Sequence, residues 1–167
     1  MSKKPFEQIV AEHANMVLRV CRAVVGQADA EDAWSETFLA ALQAYPKLRA
    51  GANVQAWLVT TAHRKALDIT RARVRDPVST TTDVLVDQPT TTGLPEAPDH
   101  DLWAALKALP PRQRHTIAYR YLGGLPYKDI AEITGGTVEA SRRAAADGVK
   151  TLRRIYAGHP HPRGDTR

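Results

Sequence analysis

The side chains that could do chemistry in this 167-residue chain are mainly cations and carboxylates at helical spacing. Arg142, Arg143, Lys150, Arg153 and Arg154 fall on the outside of one amphipathic segment. Arg64, Asp68, Arg71 and Arg75 recur at intervals of four, three and four, a polar ridge with Arg73 beside it. Asp29, Glu31, Asp32 and Glu36 form a compact acidic group. Cations fixed along a helix bind phosphates, so the chemistry is recognition of a polyanion. Bond-breaking has little in its favour. The chain contains no HExxH, glycine-rich phosphate loop or nucleophile elbow, and a hydrolase built on His13, His63 and Cys21, or on Asp29 and Asp32, lacks a supporting motif. No enzyme, metal or cofactor is expected. His13 sits on an apolar stripe and reads as a core-margin residue, Cys21 as a small buried one, His115 as exposed surface, and His159 with His161 as bystanders.

Composition agrees. With 43% hydrophobic and 25% charged residues, the chain is ordinary for a soluble globular protein of one domain or two small ones. No apolar run approaches the ~20 residues that cross a bilayer, and an amphipathic segment follows Lys3 and Lys4 where a signal core would lie. A cytoplasmic protein without membrane insertion is expected, with the single cysteine kept reduced. The net charge of +5 is unevenly spread. Residues 1–75 carry 11 Lys/Arg against 7 Asp/Glu, residues 76–101 carry none against 6, and residues 102–167 carry 12 against 5. Two basic modules flanking an acidic segment suit two contacts with a polyanion and a connection that avoids or imitates it.

The elements that position these groups are clearest near the C-terminus. Tyr127, Ile130, Ala131 and Ile133 make the inner face of a short helix, with Lys128, Asp129 and Glu132 outside. Gly135 and Gly136 provide a sharp turn, and Thr137 can cap a second helix from about Val138 to Tyr156. Val138, Ala145, Val149 and Leu152 face inward there, leaving the arginines outside. A short helix, a glycine turn and a basic second helix make a helix-turn-helix, the hairpin that places side chains in a DNA major groove.

This stretch resembles region 4 of bacterial RNA polymerase sigma factors of the extracytoplasmic-function group, in the sigma-70 family. The resemblance rests on Leu109-Pro110, Gln113-Arg114, Arg120-Tyr121-Leu122, Gly124-Leu125-Pro126-Tyr127 and Ile130-Ala131-Glu132, five elements in order without a gap. It implies minus-35 promoter contacts from Arg112, Arg114, Lys128, Thr137, Arg142 and Arg143. Asp147 and Gly148 depart from the basic pattern usual in the recognition helix: one repels phosphate, and the other costs a helix interior about 1 kcal/mol.

The first half is expected to hold three helices. Phe6 to Gly26 carries the stripe Phe6, Val10, His13, Val17, Val20 and Val24. Asp29 to Tyr45 starts at an Asp29 cap and turns Ala30, Ala33, Trp34, Thr37, Phe38, Ala41, Leu42 and Tyr45 inward, with Asp32, Ser35, Glu36 and Gln43 outside. Val54 to Arg75 is capped by Asn53 and buries Trp57, Leu58, Ala62 and Ile69. The second helix, from Asp29 to Phe38, is similar to part of sigma region 2, which docks on the largest polymerase subunit. The resemblance implies polymerase contacts from Asp29, Asp32, Ser35 and Glu36. Ala56-Trp57-Leu58, Thr61-Ala62, Ala66-Leu67-Asp68 and the arginines from Arg71 to Arg75 resemble the promoter-melting part of that region. They imply that the loop Arg49 to Gln55 captures an unstacked minus-10 base, with Arg49, Asn53, Trp57, Arg64, Asp68, Arg71 and Arg75 as contacts.

The expected architecture is therefore all-α. A region 2-like domain at 1–75 is joined by an acidic linker at 76–100 to a region 4-like helix-turn-helix domain at 101–157, followed by a disordered tail at 158–167. In the linker Asp83, Asp87, Glu96 and Asp99 could imitate nucleic acid. In the second domain Leu102, Trp103, Leu106 and Leu109 face inward, and Pro111 opens the next helix. The resemblance implies core RNA polymerase and promoter DNA as partners, with an anti-sigma factor as a common further partner in that group. The alternative is a helix-turn-helix regulator that works without polymerase, which leaves the acidic second helix and the Trp57 segment unused.

Overall fold

In the computed structural model, residues 2–75 and 100–157 are described, and among them there are seven α-helices and no strand. They are α1 (Phe6–Val25), α2 (Gln27–Ala44), α3 (Val54–Arg75), α4 (His100–Ala108), α5 (Pro111–Ile117), α6 (Tyr127–Thr134) and α7 (Val138–Ala157). A 3-10 turn, Tyr45–Lys47, follows α2, and a π-helical turn, Ala118–Leu122, extends α5. The tail lies outside the described residues. So does the acidic linker, except His100, which opens α4.

The first three helices pack around Ile9, Val17, Leu18, Phe38, Leu58 and Ala62. Each such aliphatic or aromatic side chain is worth about 1.5–3 kcal/mol when fully buried. Ala30, Ala33 and Ala41 let α2 lie close on its neighbours, and Trp34 donates its indole N–H to the Ala14 carbonyl at 3.0 Å. Two details differ from expectation. The second helix begins at Gln27, directly after the break at Gly26, and no side chain caps it. Asp29 therefore sits inside the first turn. Leu42 lies one residue, about 100° of helix, beyond buried Ala41 and is 52% exposed.

The second core is shared between the two halves. Val20, Ala23 and Val24 of α1 and Val59 and Ala66 of α3 pack against Leu106, Leu109, Ile117, Ala118, Tyr119, Leu125 and Ile130. Helix α1 touches α4, α5 and the π-helical turn, so the halves close on one another. Polar ties cross the same boundary. Gln55 Nε2 donates to the Gly123 carbonyl, Arg114 Nη1 donates to the Val24 carbonyl at 3.1 Å, and His63 Nδ1 shares a hydrogen bond with the Tyr119 hydroxyl.

His115 is not the surface residue expected. Its ring stacks on Tyr119, centroids 6.0 Å apart, and meets His63 edge-on at 5.4 Å. It lies one turn before Tyr119 on the face that α5 turns toward the first half. Burial, then the neighbouring His63 and Arg114, holds the His115 pKa down at about 4. His63 is lowered by burial and by Arg64, while burial pushes Tyr119 up, so all three rings are neutral near pH 7.

Candidate nucleic-acid and protein interfaces

On α2 the helical period brings Asp32, Ser35 and Glu36 to the solvent, as expected. The same face continues into two large apolar side chains that sequence reasoning did not assign to it, Leu39 (60% exposed) and Leu42. Their spacing from Asp32 and Ser35, seven residues in each case, was the available signal. A strip that is acidic at one end and apolar at the other suits a protein surface carrying cations beside a hydrophobic patch. Glu36, itself exposed, reaches the half-buried Lys65 at 3.8 Å, a long surface pair of little energetic weight. Asp29 is drawn away from this strip. Its carboxylate is largely buried and accepts a hydrogen bond from Arg73 Nη2, tying the start of α2 to the end of α3.

The loop between α2 and α3 borders an open pocket of about 490 Å³. One wall is Leu48 to Gln55, including the candidate residues Arg49 and Asn53, and the other is Lys3, Lys4, Ile9, Glu12 and His13. Asn53 caps α3, accepting the Ala56 N–H on Oδ1 at 3.1 Å, which fixes where the loop ends. Lys4 at 3.0 Å and Gln8 at 3.0 Å hydrogen-bond Glu12 and hold its carboxyl below the usual range, so the pocket carries cations and a carboxylate side by side. Trp57 is partly buried beside Tyr45, ring centroids 6.3 Å apart, and buttresses the loop from the core side. Along α3, Arg64, Asp68, Arg71 and Arg75 are all exposed. Asp68, Arg71 and Arg75, with Thr70 and Val74, line a second hollow of about 530 Å³.

The helix-turn-helix forms as read. Gly135 adopts the left-handed conformation, φ 77° and ψ 47°, that ends α6, and Thr137 Oγ1 accepts the Ala140 N–H at 3.0 Å to start α7. Lys128, Thr137, Arg142 and Arg143 are exposed around this turn. Arg112 joins them, its guanidinium packed so closely on Gly136 that a Cβ there would overlap it. Tyr127 supports the group from below, with Arg120 stacked 4.6 Å and Arg142 5.9 Å from its ring centroid. Arg114 is not among them. It brackets the Val24 and Leu109 carbonyls, each at 3.1 Å, and is half-buried, because its place on α5 faces α1 and not the turn. Gly148 also has a reason. A Cβ on it would overlap Ile117 Cδ1 and come within 3.3 Å of Ile117 Cγ1, so glycine lets α7 press against α5.

Cys21 is buried, its thiol pushed up to about 12 by desolvation. Among the described residues no cluster of His, Cys, Asp and Glu could hold a metal, and no helix is long and apolar enough to cross a membrane.

Comparison with known proteins matches the sigma-70 region 2 profile over residues 9–76 and the sigma-70 region 4 profile over residues 99–152. Similar sequences include the extracytoplasmic-function RNA polymerase sigma factor SigE of Mycolicibacterium smegmatis, 29% identical over 161 residues, covering 92% of this chain and 62% of that protein. BldN of Streptomyces coelicolor, another sigma factor of that group, is 29% identical over 158 residues, covering 90% and 60%. The chain thus spans about three fifths of the length of these curated relatives. Among solved structures, the sigma factor RpoE of Bartonella quintana, in complex with the anti-sigma factor NepR, superposes with a TM-score of 0.74 at 20% identity, over 93% of this chain and 98% of that one. CnrH, in complex with the cytosolic domain of CnrY, superposes with a TM-score of 0.66 at 19% identity, over 93% and 89%. These two likenesses establish a shared fold.

Proposed function

We propose that this chain, which belongs to the extracytoplasmic-function group of the sigma-70 family, binds core RNA polymerase in the cytoplasm and directs it to promoters. The observation that carries this reading is the pairing of both matched regions with the surfaces each would need. Asp32, Ser35 and Glu36, extended by Leu39 and Leu42, dock on polymerase. Arg49, Asn53 and the pocket beside them receive an unstacked base of the minus-10 element, and Arg64, Asp68, Arg71 and Arg75 follow the separating strands. Arg112, Lys128, Thr137, Arg142 and Arg143 approach the minus-35 major groove. Asp29, Trp57 and Arg114 act by holding these surfaces in place. Polymerase supplies the catalysis; the chain supplies recognition. An anti-sigma factor, if the source organism encodes one for this chain, covers the same surfaces.

The decisive experiment is association of the purified chain, free of inhibitor, with core RNA polymerase from its own source. Wild type binds, and the double variant Asp32→Arg, Glu36→Arg loses binding while keeping its helicity, since both carboxylates are exposed. Failure of well-folded wild type to bind overturns the proposal and leaves the polymerase-independent helix-turn-helix regulator.

A further inference from the structure

The pocket beside the α2–α3 loop has a feature that its assignment to the minus-10 base does not require. Lys3 reaches 42 to 45 residues along the chain to donate hydrogen bonds to the carbonyls of Tyr45 at 2.6 Å, Pro46 at 3.3 Å and Leu48 at 2.9 Å. An ammonium has three N–H donors, so all of them are spent at this one bend. These are carbonyls at and just past the end of α2, where the helix dipole favours a cation, and at Tyr45 the ammonium adds a charged donor to the Leu48 N–H that the same carbonyl accepts at 3.1 Å. The same ammonium lies 4.6 Å from the centroid of the Tyr45 ring. Tyr45 returns the contact, donating its hydroxyl to the Lys4 carbonyl. Tyr45 is itself buried against Phe6, ring centroids 5.4 Å apart.

At the head of the loop Leu48 is placed by its N–H bond to the Tyr45 carbonyl and by packing against the first core, which Trp57 joins from α3, but residues 49–52 have fewer ties. Within it the Ala52 N–H bonds the Arg49 carbonyl at 3.1 Å. Among the described residues no other side-chain hydrogen bond reaches 48–52. The loop is therefore set chiefly by its two ends, the Asn53 cap on one side and, on the other, Leu48 together with the carbonyls held by Lys3.

We infer that Lys3 is a positioning residue for promoter recognition: its ammonium clamps the end of α2 and so fixes the register of the 48–53 loop against the wall formed by Glu12 and His13. The inference rests on the minus-10 reading of this pocket. Clamping matters because edge-reading of a flipped base needs donors and acceptors placed to a fraction of an ångström, which a loop held at one end does not provide. Lys3 need not touch the base.

The test uses holoenzyme assembled from core polymerase and the full chain carrying its purification tag at the C-terminus. Wild-type holoenzyme first selects from a single-stranded DNA pool with ten randomised positions. The enriched oligonucleotide, and its three single-base variants at the most constrained position, are then the probes for wild type, Lys3→Met and Lys3→Arg. Lys3→Met keeps the stem and removes the donors. It is expected to bind core polymerase as wild type does and to lose base discrimination by about tenfold, the loss that one charge-assisted contact produces. Amide exchange at 49–53 rises in parallel. Lys3→Arg restores most of the discrimination. Unchanged discrimination in Lys3→Met, or an equal loss of core binding, overturns the positioning role. A wild-type holoenzyme that enriches no motif overturns the minus-10 reading itself, an outcome separate from the other two.

Discussion

Lowering the pH should loosen the closed arrangement through the three rings where its halves meet. His63 comes from α3, and His115 and Tyr119 come from α5 and the turn after it. Other titratable or charged groups at this cluster are Cys21, Arg64 and Arg114, as well as the three rings themselves. Burial pushes the thiol and the phenol up, away from the acid range, so the pH dependence of this cluster between pH 7 and 5 comes from the histidines. His115 has a folded pKa of about 4 against an unperturbed value of 6.5, so the folded state binds fewer protons than the unfolded one. Its contribution to stability is complete above pH 6.5 and is lost as the pH falls from there toward 4. By pH 5 the loss from His115 alone is about 2 kcal/mol, and the lowered pKa of His63 adds to it with the same sign. A chain of this size loses about 2–4 °C of Tm per kcal/mol, so the melting temperature should fall by about 4–8 °C between pH 7 and 5. Calorimetry on wild type, His115→Gln and the double variant with His63→Gln measures this. The single variant should be flatter across the window and the double variant flatter still. Three parallel profiles would refute the assignment.

Three further outcomes are expected. Gly148→Ala should lower stability by about 1 kcal/mol in denaturant titration, because overpacking against Ile117 costs about 1–3 kcal/mol and the gain in helix propensity returns about 1; a stabilised variant would contradict the close approach of α7 to α5. Asp29→Asn should cost about 1 kcal/mol of stability by weakening the tie to Arg73 while leaving polymerase affinity near wild type, the reverse of what Asp32→Arg does; a loss of affinity at intact helicity would return Asp29 to the docking strip. Cys21 should resist a thiol reagent in native buffer and react stoichiometrically in guanidinium, since its thiol is buried and pushed up to about 12; rapid native labelling would mean the α1–α2 core opens readily.

Local pattern made most of the helices readable, because each needs only its own sequence to declare itself. The Asn53 and Thr137 caps, the left-handed turn at Gly135 and the first-turn Pro111 are all short-range devices, and each forms as expected. What pattern could not reveal is a helix with two buried faces. On α3 the stripe of Leu58 and Ala62 was legible, whereas Val59, His63 and Ala66 lie on another side that is apolar only in part and is buried by residues about 60 positions away. The intramolecular partners of Arg114 and Asp29 were not legible for a related reason. A charged side chain looks the same in sequence whether it faces a phosphate, a partner protein or a backbone carbonyl, and only the fold supplies its acceptor. Gln55 shows the consequence for function. It ends the loop beside the candidate base pocket and also donates to the Gly123 carbonyl across the boundary between the halves. One amide group cannot keep that bond while the halves separate, so closure of the chain and the geometry at the pocket's edge are joined through a single side chain.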